Sequence, residues 1–428
     1  MAQAIQQSEP GADPTVAARA VPSGQRLLWL DALRGVAATA VVLQHLAPEL
    51  VYREWAAVRR VLDPGIFGVM LFFLVSGYII PASLERRGDL REFWTGRFFR
   101  LYPLYFLVFA VSLLILPQVN VALAASAYHR PLVSAGANSV MLADLLGVGA
   151  SIGVGWTLAY EMVFYFFVSA LFSVDRHRRS GPVALGFAAL AVLSGVLLPT
   201  AKLAHDTSST AYLVLAAVLV VAGAMGCVLS GRPVLARAGS LALAGLGLLL
   251  VVADSRSAGF ESMMIFAMMF SGTVLHRVRS GVLDRRRGAA VCALVLLAGV
   301  VSAALWDRGP ALASTWTDAW YTWATAFVAA WVVFGAGFLL RHRRIPRAVA
   351  LLGAVSYSVY VIHHPLIALM LRLFATVGTP VGPVRELCWM AAFFAVLLPL
   401  SYATHRLVEL PGQRLGRQVG LRLRSRNR

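Results

Sequence analysis

The sequence predicts an all-α, polytopic helical bundle of about 10 to 12 membrane-spanning helices, and three observations carry that prediction. Of its 428 residues 59% are hydrophobic and only 14% are charged, too little polar surface to cover a soluble globule of that size. Apolar runs of about 20 residues, the length that crosses a bilayer, recur along the whole chain. The formal net charge of +18 sits largely on arginines in short loops between those runs. In a soluble protein such a charge would suggest nucleic acid, but in this setting it follows the positive-inside pattern and reports orientation.

Residues 1–25 are small, polar and Pro/Gly-containing, with no basic stretch leading into an apolar core. They predict a disordered cytoplasmic tail without a cleaved signal peptide. The first span is Leu27–Leu46, LLWLDALRGVAATAVVLQHL. Further spans are expected near 65–82, 100–117, 153–173, 181–199, 211–229, 234–252, 259–275, 288–306, 319–340, 348–373 and 386–407. Alternate loops carry Arg86, Arg87, Arg91 and Arg97, then Arg176, Arg178 and Arg179, then Arg232 and Arg237, then Arg277, Arg279 and Arg285 to Arg287, then Arg341, Arg343, Arg344 and Arg347. The intervening loops hold few basic residues, apart from Arg53, Arg59 and Arg60 in the first. Both termini are therefore expected in the cytoplasm, with the protein in the plasma membrane. Residues 26–411 form one transmembrane domain and 412–428 a basic cytoplasmic C-terminal tail. The middle six spans are nearly featureless and read as scaffold. Cys227, Cys292 and Cys388 lie in or at the end of apolar runs without metal-ligand spacing and read as small apolar fillers.

Ionisable groups inside spans are costly and usually face a protein interior or a wet cavity. Asp31, Arg34 and His45 all lie in the first span. Arg34 and His45 leave one helix face about 16 Å apart along the axis. In span two, GIFGVMLFFLVSGYII, Gly68, Ser76 and Gly77 suit close helix packing, and Ser76 could also line a cavity. RFFRLYPLY places Arg97 and Arg100 one turn apart, where they could grip phosphate or snorkel to headgroups. GWTLAYEMVFYFF buries Glu161 among aromatics, with Trp156 and Tyr160 one turn apart; an ion pair with Arg34 is the ordinary alternative to a catalytic carboxylate. SYSVYVIHHPLI brings Ser356, Tyr357, Tyr360, His363 and His364; adjacent histidines point about 100° apart, so one at most is expected to share the cavity. SYATHRLVELPG sets His405, Arg406 and Glu409 at the cytoplasmic rim, where interface anchoring is the ordinary role.

LDALRG followed by His45, LFFLVSGYII, RFFRLYP, WTLAYEMVFY, SYSVYVIHHP and SYATHRLVELP occur in one order over residues 27–411. In these segments the chain resembles the acyltransferase family 3 membrane proteins, which O-acylate surface polysaccharides and some small molecules. The family core has about ten helices, so twelve expected spans is a departure in the middle of the chain.

The resemblance implies transfer of an acyl group, acetyl first, from cytoplasmic acyl-CoA to a hydroxyl of an extracytoplasmic glycan or glycosylated small molecule. No metal and no nucleic acid are implied. Arg34, Arg97, Arg100 and Arg406 would bind the donor phosphates while the pantetheine arm extends toward His45. His45 would serve as general base or as acyl carrier. Glu161 would orient or charge-balance an arginine or the histidine, and His363 would steady the oxyanion or move protons. Asp31, Ser76, Trp156, Tyr160 and Tyr360 would line the cavity. A transporter of the major facilitator type is the alternative, from the span count and the loop LDRRRG at 283–288.

Overall fold

The computed structural model describes residues 28–115, 128–149, 152–198, 200–308 and 315–425. The expected disordered tail at 1–25 lies outside them. Among the described residues the chain forms α1 (Leu28–Leu50), α2 (Tyr52–Arg59), α3 (Pro64–Arg87), α4 (Leu90–Ile115), α5 (Pro131–Ser139), α6 (Gly155–Ser173), α7 (Ser180–Ser194) and α8 (Thr207–Leu229). It continues with α9 (Pro233–Ala253), α10 (Gly259–Arg279), α11 (Arg285–Trp306), α12 (Trp320–Leu339), α13 (Arg347–Ala354), α14 (Ser356–Val377), α15 (Pro383–Thr404) and α16 (Leu410–Ser425).

Local chemistry fixes several boundaries. Asp63 caps α3 by accepting from the Ile66 N–H, Pro64 occupies the first turn, and Gly88 ends the helix at φ 70°. Asp206 and Ser209 form a reciprocal capping box on α8. Nine stretches of helix among the described residues are long and apolar enough to cross a membrane. α1 and α10 have matching length but carry ionisable side chains, and α7 has only 15 residues. Together they coincide in position with the twelve expected spans, of which nine have the length and apolarity to cross.

One expectation needs correction. The run at 348–373 is two helices, α13 and α14, parted at Val355. There Gly353 presses on α1 so closely that a Cβ would stand 1.8 Å from the Asp31 carbonyl oxygen, and the chain turns away immediately afterwards. The basic segment set apart as a tail is helical as far as Ser425. It follows α15 through a five-residue π-helical turn, His405–Glu409, and lies against α4.

Among the middle spans α10 forms the centre of the packing. Every residue of α10 from Gly259 to Val274 is buried, and the helix packs on α3 and α7. At the α3 crossing a Cβ on Gly77 would stand 1.7 Å from the Met269 carbonyl oxygen, so only glycine fits. Thr273 reinforces the contact by donating to the Gly77 carbonyl at 2.9 Å. Arg277, buried near the end of α10, donates to Glu85 at 2.5 Å and to Ser180 at 3.1 Å, tying α3 and α7 to the same point. By contrast α8 exposes Tyr212, Leu215 and Leu219, the apolar outer surface that a bilayer would cover.

Candidate active site

α1 is the axis of the site. It is packed between α3, α13 and α14, and a cavity opens beside each half of it. The cavity beside its first half has a volume of about 450 Å³. It is lined by Asp31 and Arg34 of α1, Ser76 and Arg86 of α3, Arg97 and Arg100 of α4, Glu161 of α6, and His405 and Glu409 of the π-helical turn. α3 and α4 bring Arg86, Arg97 and Arg100 because their arginine-bearing ends meet at the same end of the bundle.

Arg97 is buried with its guanidinium 5.3 Å from the centre of the Phe93 ring and 5.2 Å from that of Tyr165. Such stacking holds a weakly hydrated, permanent cation in an interior position. Arg34 stands 5.6 Å from the centre of the Phe72 ring. Among the described residues Arg34, Arg97 and Arg100 form no ion pair within 4.0 Å. Glu161 is not salt-bridged to Arg34; its Oε1 accepts instead from the Tyr165 hydroxyl at 2.7 Å. Glu409 accepts from the Ser358 hydroxyl and lies 3.2 Å from His405 Nδ1. The cavity therefore offers several guanidiniums of fixed geometry whose charge is not cancelled at contact distance, the setting in which phosphate is held.

Beside the second half of α1 lies a cavity of about 290 Å³ lined by Gln44, His45, Asp63, Asp144, Trp156, Tyr160, Arg256, Ser257 and Trp316. Here loops supply much of the wall. Asp254 accepts from the Leu203 and Ala204 N–H groups at 2.8 and 3.0 Å and from Arg256 at 3.4 Å, knitting the loop after α9 to the one before α8. Tyr160 is buried with its hydroxyl 2.7 Å from Ser262 Oγ and 3.1 Å from Ser255 Oγ. Trp316 lies 4.7 Å from Trp156 between ring centres, and its backbone N–H donates to the fully buried Glu261 at 3.0 Å. Burial pushes the Asp144 carboxyl up to about 6, with Arg256 drawing it down against that trend. Among the described residues the buried Oε1 atom of Gln44 has no hydrogen-bond partner, while its Nε2 donates to Asp63 at 3.3 Å.

The hydrogen bonds of His45 fix its chemistry. Its Nδ1 is 2.9 Å from the Val41 carbonyl oxygen, which has no proton to give, so the neutral ring carries its proton on Nδ1. The His363 Nδ1 is likewise 3.2 Å from the Val359 carbonyl, leaving His363 Nε2 as an acceptor 3.4 Å from His45 Nδ1. Both relations hold His45 in one tautomer, with the Nε2 lone pair available.

The structure thus brings Asp31, Arg34, Ser76, Arg97, Arg100 and Glu161 to one cavity and His45, Trp156 and Tyr160 to the other, with Tyr360 and His363 between or beside them. One placement differs from the sequence reading and another adds to it. His363 and His364 both border His45, at 5.3 and 5.6 Å between ring centres, because the His45 ring sits between their two directions, while neither lines its cavity. Gly153 makes that possible, since a Cβ there would stand 2.4 Å from the His364 ring. Arg406 does not line the arginine cavity; it is exposed with its guanidinium over the Tyr402 ring, and the π-helical turn presents His405 and Glu409 inward instead. Arg86, His405, Asp144, Arg256, Trp316 and Glu261 were not singled out as site residues. Only Arg86 and His405 carried a signal, as basic residues at span ends.

The profile of the acyltransferase domain family matches residues 27–406, nearly the whole chain. Acyltransferase MdmB of Streptomyces mycarofaciens is 31% identical over 94 residues, 21% of this chain and 24% of that protein. Nodulation protein 10 of Rhizobium leguminosarum bv. viciae is 28% identical over 138 residues, 29% of this chain and 38% of that protein. The matched segments thus span well under half of either relative. No solved structure matches the chain.

Proposed function

The chain belongs to the acyltransferase family 3, and from that premise we propose that it moves an acyl group, acetyl first, from cytoplasmic acyl-CoA to a hydroxyl of an extracytoplasmic glycan or glycosylated small molecule. The observation that carries this reading is the pair of cavities on α1, one cationic and one holding a histidine with a free Nε2. With the arginine-rich end in the cytoplasm and both termini there, the donor enters beside Arg34, Arg97 and Arg100, which hold its phosphates. Asp31 and Glu161 balance part of that charge and ease the repulsion among the clustered guanidiniums when the cavity is empty. The pantetheine arm then runs along α1 toward His45.

In the second cavity Trp156 and Trp316 offer an aromatic wall for a sugar ring, and Gln44, Asp63 and Asp144 are acceptors for its hydroxyls. His45 Nε2 takes the proton of the reacting hydroxyl as its oxygen attacks the thioester carbonyl. The tetrahedral intermediate collapses with cleavage of the C–S bond, and the proton passes from His45 to the departing CoA thiolate. His363 keeps His45 in the required tautomer and stabilises the imidazolium that forms transiently. Direct transfer is the simpler course. An acyl-histidine intermediate is separated from it by single-turnover labelling with radioactive acyl-CoA and no acceptor, which leaves label on the protein only if the carrier exists. With membership of an acyltransferase family established, the transporter reading is set aside.

The test is thiol release from acetyl-CoA by the full-length protein in nanodiscs, with an envelope glycan pool as acceptor. His45→Ala should lower turnover about 10²- to 10⁴-fold, the usual weight of a general base. Arg34→Ala should weaken CoA binding. No release from any acyl-CoA by the wild type would overturn the donor assignment.

A further inference from the structure

Among the described residues none lines both cavities. What lies between them is a pair of stacked rings. Phe72 of α3 and Tyr360 of α14 are parallel to within 9° with centres 6.3 Å apart. Each occupies an intermediate position along its own helix. On α3, Phe72 is one turn beyond Val75 and Ser76, which line the arginine cavity, and nearer than they are to Ile66, which lines the other. On α14, Tyr357 lines the arginine cavity, Tyr360 follows one turn later, and His363 and His364 come after another turn beside His45. The rings are continuous with both sites. Arg34 stands over Phe72, and the Tyr360 ring is 5.9 Å from that of His363.

The two rings are held unequally. The Tyr360 hydroxyl is 2.6 Å from Thr157 Oγ1 and 3.3 Å from the Val154 carbonyl oxygen, so α6 anchors it. Phe72 has no polar anchor. It is kept in place by stacking and by the Arg34 guanidinium, the same cation to which a donor phosphate would bind. Both side chains are only half-buried although they stand within the bundle, as side chains bordering space do.

We propose that Phe72 and Tyr360 form the partition between the donor and acceptor cavities, with Phe72 as its movable leaf, and that the gap this leaf opens sets the size of acyl group delivered to His45. The inference rests on the donor reading given above for direction, but the partition itself rests on the ring geometry. Drawing Arg34 toward phosphate withdraws one of the contacts that hold Phe72, the others being the Tyr360 and Phe73 rings, so donor binding loosens the leaf. Without donor, the stack closes a path that would otherwise join the two sides of the bundle.

The experiment reconstitutes the full-length wild type, Phe72→Ala and Phe72→Leu in vesicles loaded with the pH dye pyranine, and measures proton leak together with thiol release from acetyl-CoA and hexanoyl-CoA. Phe72→Ala should raise the hexanoyl-to-acetyl ratio about tenfold, in the range that a few methylenes contribute in an apolar passage, and should make the vesicles leak. Phe72→Leu removes the ring above Arg34 but keeps most of the bulk, so its vesicles should stay tight. Should alanine prevent folding, Phe72→Val replaces it with the same expectation. A folded Phe72→Ala or Phe72→Val protein that stays proton-tight with an unchanged chain-length ratio overturns the partition. If the wild type releases thiol from neither donor, the acyl-CoA reading fails by itself and the leak comparison still decides the partition.

Discussion

The arginine cavity takes its whole wall from helices, whereas the His45 cavity takes Asp144, Arg256, Ser257 and Trp316 from the segments between helices. The difference follows from what each must hold. Fixed cations need rigid elements behind them, because a guanidinium that can swing out to water gives up the low-dielectric setting that makes its charge effective. Around His45 the helices supply Gln44 and Trp156, and the remaining ring face and acceptors come from directions those helices do not cover. Loops supply those directions, provided their own backbone groups are satisfied, as Asp254 does for Leu203 and Ala204.

The sharpest way to break this comparison is to disturb the helix crossings alone. Gly77→Ala should cost on the order of 3 kcal/mol or more, because the added methyl meets the Met269 backbone rather than a side chain that can move. Gly223→Ala, with nothing within 4 Å of the added atom, should be neutral or mildly stabilising. Thermal unfolding in detergent compares the two, and equal melting temperatures would show that the α3–α10 contact does not limit the fold.

His363→Ala separates orientation of His45 from donor binding. Turnover should fall about 100-fold with the affinity for CoA unchanged, as expected when an outer partner fixing a tautomer is lost. Equal losses in both would place His363 in the donor site instead.

Asp144 sharpens the comparison from the loop side. Its folded-state value, about 6, is above that of an unfolded aspartate. Its contribution to stability is therefore fully present below about pH 4 and is lost as pH rises through about 6. Wild type should lose about 2 kcal/mol relative to Asp144→Asn between pH 4 and pH 7.5. A difference that stays constant over that window would show that Asp144 is solvated rather than held in the cavity wall.

The smallest effects belong to the arginines. Arg97→Ala should weaken CoA binding about tenfold, the loss of one charge-assisted contact. Arg406→Ala, whose guanidinium stands over Tyr402 and outside the cavity, should change it less than twofold. Isothermal titration with CoA reads both, and a large effect at Arg406 would restore the donor role first read from its position in the sequence.

Much of this arrangement was legible before any coordinates. Apolar runs of bilayer length with arginines between them gave the class and the order of the helices. The period of an α-helix placed Arg34 and His45 on one face of α1, and the cost of burying charge marked Glu161 and the α4 arginines as residues with a purpose. All of these are properties of one segment and its solvent. Tertiary structure alone decided that His363 and His364 flank His45, that Arg406 turns outward while Arg86 and His405 turn in, that the rings of Phe72 and Tyr360 stack between α3 and α14, and that Glu261 in a seemingly bland span accepts from the Trp316 backbone. A helix fixes the direction of a side chain relative to its own axis, but which neighbour that side chain meets depends on crossing angles. Here those are set by contacts as close as Gly77 on Met269 and Gly353 on Asp31.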